Sequence, residues 1–214
     1  MTQTTKEPSS LVIGYMTLRR AIGLLGTSLP FVLSFGALLL FKTGIQPSIS
    51  SYYHTGMRDV FVGILCAIGV FMISYKYERP DDIAGDLACV FAVGTALFPT
   101  SPPGELTLGT IGALHLVFAS LFFLTLAYFA LFLFTKTNPK KTPTRRKRQR
   151  NHVYRVCGYT ILVSIALIVL LTLLPSVKQA ISPYNPVYWL EALAVVAFGI
   201  SWLTKGEALL ADET

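Results

Sequence analysis

Six apolar runs, each near the length needed to cross a lipid bilayer, constrain this 214-residue chain more than any other feature. The hydrocarbon core of a bilayer is about 30 Å thick, so a helix rising about 1.5 Å per residue needs roughly 20 apolar residues to traverse it. The runs fall at about Ala21 to Phe41, Asp59 to Tyr75, Ile83 to Pro99, Leu108 to Phe134, Val156 to Pro175 and Val187 to Thr204. Inside a bilayer every backbone N–H and C=O must find its partner within the protein, which makes helices of runs this long. With 53% hydrophobic and only 14% charged residues, the composition is not that of a soluble domain. The expected fold is all-α: a polytopic membrane protein with a six-helix transmembrane bundle over residues 18–205. A polar N-terminal tail, 1–17, and a short C-terminal tail, 206–214, flank it.

The placement of lysine and arginine orients the spans. With a cytoplasmic N-terminus, fifteen of the 18 basic residues fall in inside segments, leaving Lys42, Arg58 and Lys178 outside. A bias of that size puts both termini in the cytoplasm of a cell membrane, a bacterial inner membrane by this reading. Nine of the fifteen lie between Lys136 and Arg155, in a proline-punctuated loop, 135–155, that reads as unstructured and as a contact for anionic lipid headgroups. No aromatic residue is interleaved between Lys136 and Arg150, so base stacking, and with it a nucleic-acid partner, is not expected. Cys66, Cys89 and Cys157 sit inside apolar runs as packing residues. The first 17 residues lack the charged-then-apolar pattern of a cleaved signal peptide.

The third run repeats alanine every fourth residue, at Ala84, Ala88, Ala92 and Ala96, with Gly85 and Cys89 beside them. In lipid no hydrophobic drive holds helices together, so close backbone approach across small residues does that work. The stripe predicts a buried face and places this helix at the centre of the bundle.

Ionisable groups inside spans are costly and mark function by default. Asp59, Asp86, His115 and Glu191 qualify. Asp86 belongs to the inner side, with Lys76 or Arg79 as its mate. The others share the outer side: Asp59 opens the second run, His115 lies about 10 Å into the fourth and Glu191 about 6 Å into the sixth. Above them lies the stretch Ser48 to Gly63, SISSYYHTGMRDVFVG. From it come the binding candidates Ser51, Tyr53, His54 and Arg58, and Trp189 joins them from the last run. Asp59, His115 and Glu191 are the candidates for catalysis. His54, Asp59, His115 and Glu191 make a possible shell for zinc with an open position for water. No HExxH or i, i+4 ligand pair accompanies them. The competing structural roles are carboxylates complementing helix N-termini, Arg58 pairing with a headgroup or Glu191, a histidine bridging two helices, and Tyr52, Tyr53, Tyr184, Tyr188 and Trp189 as an interfacial belt.

The hydroxyl-rich loop entering the second run, the histidine early in the fourth (GALHLVFASLFF) and the aromatic-acid start of the last (YWLEALAVVAFG) resemble bacterial multi-spanning membrane proteins of the DUF998 type. That resemblance implies a compact helical bundle and brings no activity with it. More distantly the chain is similar to the superfamily of alkaline ceramidases and progestin/adipoQ receptors, seven-helix proteins whose serine, aspartate and histidines form a zinc-dependent lipid amidase site. This second resemblance implies such roles for Ser51 or Ser48, Asp59 and His115; the sequence has six runs, and no HxxxH in the last. Three functions follow: an outer polar pocket that binds a lipid or partner, a metal-dependent lipid hydrolase, or a small transporter.

Overall fold

A computed structural model of the chain describes residues 8–102, 104–105, 109–137, 140 and 142–211. Every regular element among them is helical. Helix α1 is Pro8–Phe41, α2 Arg58–Ile73, α3 Arg79–Leu97, α4 Thr110–Tyr128, α5 Arg145–Leu173, α6 Pro175–Ile181 and α7 Pro186–Lys205. Short 3-10 turns occupy Ser50–His54 and Ser182–Tyr184, and a π-turn, Phe129–Leu133, continues α4. Four of these helices are long and apolar enough to cross a membrane: 14–41 of α1, 110–133 of α4 with its π-turn, α5 and α7.

The six longer helices close into a ring. α1 packs on α7, α7 on α5, α5 on α4, α4 on α3, α3 on α2, and α2 returns to α1. The alanine stripe of α3 is buried along its length, from Ala84 to Ala96. Its closeness to α2 is visible at Gly85, where a Cβ would stand 2.6 Å from the Met72 carbonyl oxygen. α3 is nevertheless not the centre expected of it, because it lies between α2 and α4 in the ring. α7, which touches α1, α4 and α5, is the more enclosed helix.

One end of the ring, the loop end, carries residues 42–57; the other, the basic end, carries the lysine- and arginine-rich segment. At the basic end an aromatic cluster fills the interior. Tyr75, Phe129, Phe134, Tyr154, Phe198 and Trp202 are all buried, with Trp202 5.0 Å from Tyr75, 5.5 Å from Phe129 and 5.1 Å from Phe134 between ring centroids. Residues five apart on an α-helix diverge by about 140°. The wider π-turn is what brings Phe129 and Phe134 to the same side, with the Phe134 N–H donating to the Phe129 carbonyl at 2.9 Å.

Two expectations at this end are corrected. The segment read as an unstructured loop becomes helix at Arg145, extending α5 two turns and more before its apolar part. The Thr144 hydroxyl caps the new helix by accepting from the Lys147 N–H at 3.1 Å. Arg150 meets Glu207 at 3.4 Å, and the Lys147 ammonium donates to the Phe134 carbonyl at 2.9 Å. Straight-chain basic residues are good helix formers once their charges are docked. Residues 138, 139 and 141 of that loop lie outside the described residues. Likewise the tail expected over 1–17 is helical from Pro8, with 1–7 outside the described residues.

The adjacent arginines of α1 close the far end of α7. Arg20 Nε donates to the Gly206 carbonyl at 2.8 Å, and Arg19, buried beside the stacked Tyr15 and Tyr75 rings, reaches the Lys205 carbonyl at 3.5 Å. These are carbonyls that the helix itself leaves without partners.

Candidate functional site

The loop end is organised by the start of α7. Asn185, in the left-handed region at φ 48°, turns the chain into the helix, and its side-chain amide donates to the Ile45 carbonyl at 3.3 Å. The Tyr188 N–H donates to the Pro47 carbonyl at 3.0 Å, and the Ile49 N–H donates to Glu191 Oε2 at 2.6 Å. Three successive attachments thus pin the loop across the mouth of the bundle. Ser48 fixes the turn that follows: its Oγ lies 2.6 Å from Ser51 Oγ and accepts from the Ser51 N–H at 3.0 Å. Ser50, Ser51 and Tyr52 are buried as a result.

Behind this plug is a polar chain inside the helices. The Tyr188 hydroxyl meets Ser34 Oγ and donates to the Pro30 carbonyl at 3.3 Å, while the Tyr52 hydroxyl lies 3.4 Å from the same serine.

His115 and Glu191 come together. Each stands five residues, about 7.5 Å, into its helix, and both line a partly open cavity of about 40 Å³. Ser50 and Thr95 contribute the remaining polar walls, and the rest is Leu29, Ile49, Phe61, Leu65, Phe122 and neighbouring apolar side chains. A volume of that order holds one or two water molecules. His115 Nδ1 is 2.7 Å from the Phe98 carbonyl oxygen. A carbonyl can only accept, so Nδ1 carries a proton, and a neutral ring then has its lone pair on Nε2.

Glu191 also borders a second space, of about 170 Å³, between α4 and α5. Its walls are Leu116, Ser120, Phe123, Ile165, Ile168, Val169 and Thr172. The two spaces share Ala119, Phe123 and Glu191. A carboxyl group therefore stands where a small interior chamber, apolar but for a few side chains, meets an apolar channel on the flank of the bundle.

The other sequence candidates stay outside. Asp59 pairs with Arg58 at 3.4 Å and its side chain is 93% exposed. Arg58 also lies 5.9 Å over the Tyr53 ring, so its expected pairing with Glu191 is not made. His54 Nε2 donates to the Thr100 carbonyl at 2.7 Å, tying the loop to the chain beyond α3. Trp189 is exposed, edge-on to Tyr188 at 5.0 Å. Tyr53, His54, Arg58 and Trp189 thus form a rim, and Ser51 belongs to the serine turn. Among the described residues no group of three or more His, Cys, Asp or Glu could hold a metal ion. The four zinc candidates are therefore split, with His115 and Glu191 inside and His54 and Asp59 at the surface.

Sequence reasoning did not find Ser34, Tyr52 and Tyr188 as interior polar residues. The one available signal was Pro30, which marks a place in α1 where side-chain hydroxyls can serve displaced backbone groups. Asp86 finds Lys76 at 2.5 Å, one of the two mates expected for it.

Comparison with protein-family models, with curated protein sequences and with solved structures finds no match for the chain.

Proposed function

We propose that the chain is a six-span protein of the cell membrane, its loop end outward and both termini cytoplasmic, whose outer chamber binds the polar end of a membrane lipid. α2 and α3 complete the set of spans: they close the ring with four helices that already satisfy length and apolarity. Their charges gather at the basic end, where Lys76 pairs with Asp86 and Glu78 and Asp81 share Lys136. The excess of lysine and arginine at that end supports a cytoplasmic placement, and a bacterial inner membrane fits it.

The observation that carries the binding function is Glu191, bordering both the His115 chamber and the channel between α4 and α5. A polar group at that depth is held when it has polar company. A lipid hydroxyl, ester or amide entering between α4 and α5 supplies such company. Its hydrocarbon tail then lies on Leu116, Ile165, Ile168 and Val169. Transport has less support, since the interior beyond Thr95 is filled by Phe122, Leu126, Phe129, Phe198 and Trp202.

A photoreactive, alkyne-tagged monoacylglycerol tests this in lipid nanodiscs. Labelling is expected on α4 and α5, competed by unlabelled lipid, and weakened severalfold by Glu191→Gln and by Ser120→Trp, which fills the channel. Labelling indifferent to both substitutions overturns the proposal.

One observation favours base-assisted lipid hydrolysis as the second function: His115 Nε2 shares its chamber with the carboxyl group of Glu191. Release of fatty acid or amine from lipid substrates, compared between the wild type and His115→Ala, decides it.

A further inference from the structure

The polar side chains around the His115 chamber have already given their protons away. His115 spends its Nδ1–H on the Phe98 carbonyl at 2.7 Å, so a neutral ring offers the chamber only the lone pair of Nε2. Thr95 Oγ1 donates its one proton to the Phe91 carbonyl at 2.7 Å and keeps its lone pairs. Glu191, as a carboxylate, can only accept, and the Ile49 N–H at 2.6 Å fills one place on one of its two oxygens. Ser50, the remaining polar wall, has Ser48 Oγ at 3.1 Å to take its proton. We infer that the chamber takes the head of a long-chain primary amine, as an ammonium whose N–H groups meet Glu191, His115 Nε2 and Thr95 Oγ1. The inference rests on the reading above that a lipid's polar end reaches Glu191 from the channel, and it names the class of that lipid.

Charge points the same way. Among the described residues no lysine or arginine lines the chamber or the channel, and Glu191 makes no ion pair. Arg58, the cation expected for it, is held by Asp59 at 3.4 Å. A carboxylate among apolar side chains without a counter-ion is costly, and a cationic ligand removes that cost.

Size excludes the larger heads. A space of about 40 Å³ admits groups of one or two water-sized atoms, so an ammonium on its methylene fits and a phosphate or a trimethylammonium does not. An ester brings acceptors to acceptors, and a phosphate would also set an anion against Glu191. A hydroxyl fits but has one proton to give, whereas an ammonium has three. The alkyl chain lies in the channel along Leu116, Ile165, Ile168 and Val169.

Competition against the photoreactive monoacylglycerol, in phosphatidylcholine nanodiscs and with ligands of one chain length, tests the assignment. Octadecylamine is expected to displace the probe at about one tenth of the mole fraction that octadecanol needs, the difference made by one charge-assisted hydrogen bond. Methyl octadecanoate, which only accepts, and octadecyltrimethylammonium, which is charged but donates nothing, should displace least. Thr95→Val deletes one acceptor and should cut the advantage of the amine over octadecanol severalfold; Glu191→Gln should erase it. Displacement by octadecanol, the ester or the trimethylammonium equal to that by the amine, or a full advantage that survives either substitution, overturns the inference. If all four ligands displace alike while Glu191→Gln and Ser120→Trp still weaken labelling, the ammonium assignment alone falls. Labelling indifferent to both of those substitutions removes the underlying binding site as well.

Discussion

Gly199 is the position where a single methyl group should cost most. It faces Gly23 and Thr27 across the contact of α7 with α1, and a Cβ built there would stand 2.1 Å from Thr27 Oγ1, 2.5 Å from the Thr27 nitrogen and 2.7 Å from the Gly23 carbonyl oxygen. Ordinary contact begins at about 3.4 Å. Two of the three obstacles are backbone, so no rotamer change clears the methyl. The third, the Thr27 hydroxyl, is committed to the Gly23 carbonyl at 2.8 Å. The helices must therefore part by about 1 Å, and in lipid the close approach is itself the source of their attraction. Overpacking of this kind costs about 3 kcal/mol, roughly a hundredfold in the folded-to-unfolded ratio. Gly63→Ala is the control, because a Cβ at that position meets no atom within 4 Å. There the helix gains about 0.5–1 kcal/mol from the lost flexibility of glycine. Unfolding by sodium dodecyl sulfate in mixed micelles, followed by circular dichroism, should show the Gly199→Ala midpoint well below wild type and Gly63→Ala at or above it. A Gly199→Ala midpoint equal to wild type would refute the backbone contact of α1 with α7.

Three further outcomes are expected. Ala92→Leu should lower detergent stability by about 2 kcal/mol by forcing α3 off α2, and an unchanged melting profile would count against the buried stripe. Lys136→Met leaves the Asp81 carboxylate, 2% exposed, without the ammonium 3.0 Å away and should cost about 3 kcal/mol at neutral pH. Burial pulls the Lys136 ammonium down, but its hydrogen bonds to Glu78 and Asp81 outweigh that and raise it above the ordinary 10.5. Its contribution is thus complete below that value and is lost as pH climbs through the raised one, so the two proteins should differ at pH 7 and converge only in strong alkali; equal stability at pH 7 would contradict the pairing. Tyr188→Phe should cost about 1 kcal/mol, and a double-mutant cycle with Ser34→Ala should show coupling, since the two hydroxyls are bonded to each other; strict additivity would sever that link.

Much of the loop end was legible residue by residue and very little of it pair by pair. His115 and Glu191 stood out because an ionisable group in an apolar run needs a reason. Nothing in their spacing said that they would share a chamber while Asp59 turned to water beside Arg58. Tyr188 looked like an interfacial ring, yet it faces inward, because Asn185 sets the entry of α7 and the Pro47 carbonyl receives its N–H. At the basic end nine cations in twenty residues suggested a solvated loop. They extend a helix instead because Glu207 and the Phe134 carbonyl, distant in sequence, receive two of them.

The sequence by itself determined that the chain is helical and apolar enough to cross a membrane, and that the alanine face of α3 is buried. Those properties depend on residues a few positions apart, through the bilayer's demand for satisfied backbone and the 3.6-residue period. The tertiary structure decided what depends on the order of helices around the ring. It set Gly23 against Gly199, put the arginines of α1 on the end of α7, placed Phe129 and Phe134 together through a π-turn, and left one carboxylate between a chamber and a channel. Apart from the π-turn pair, each of these is a contact between segments far apart in the chain, fixed by which backbones can approach most closely, and that choice is made by all six helices at once.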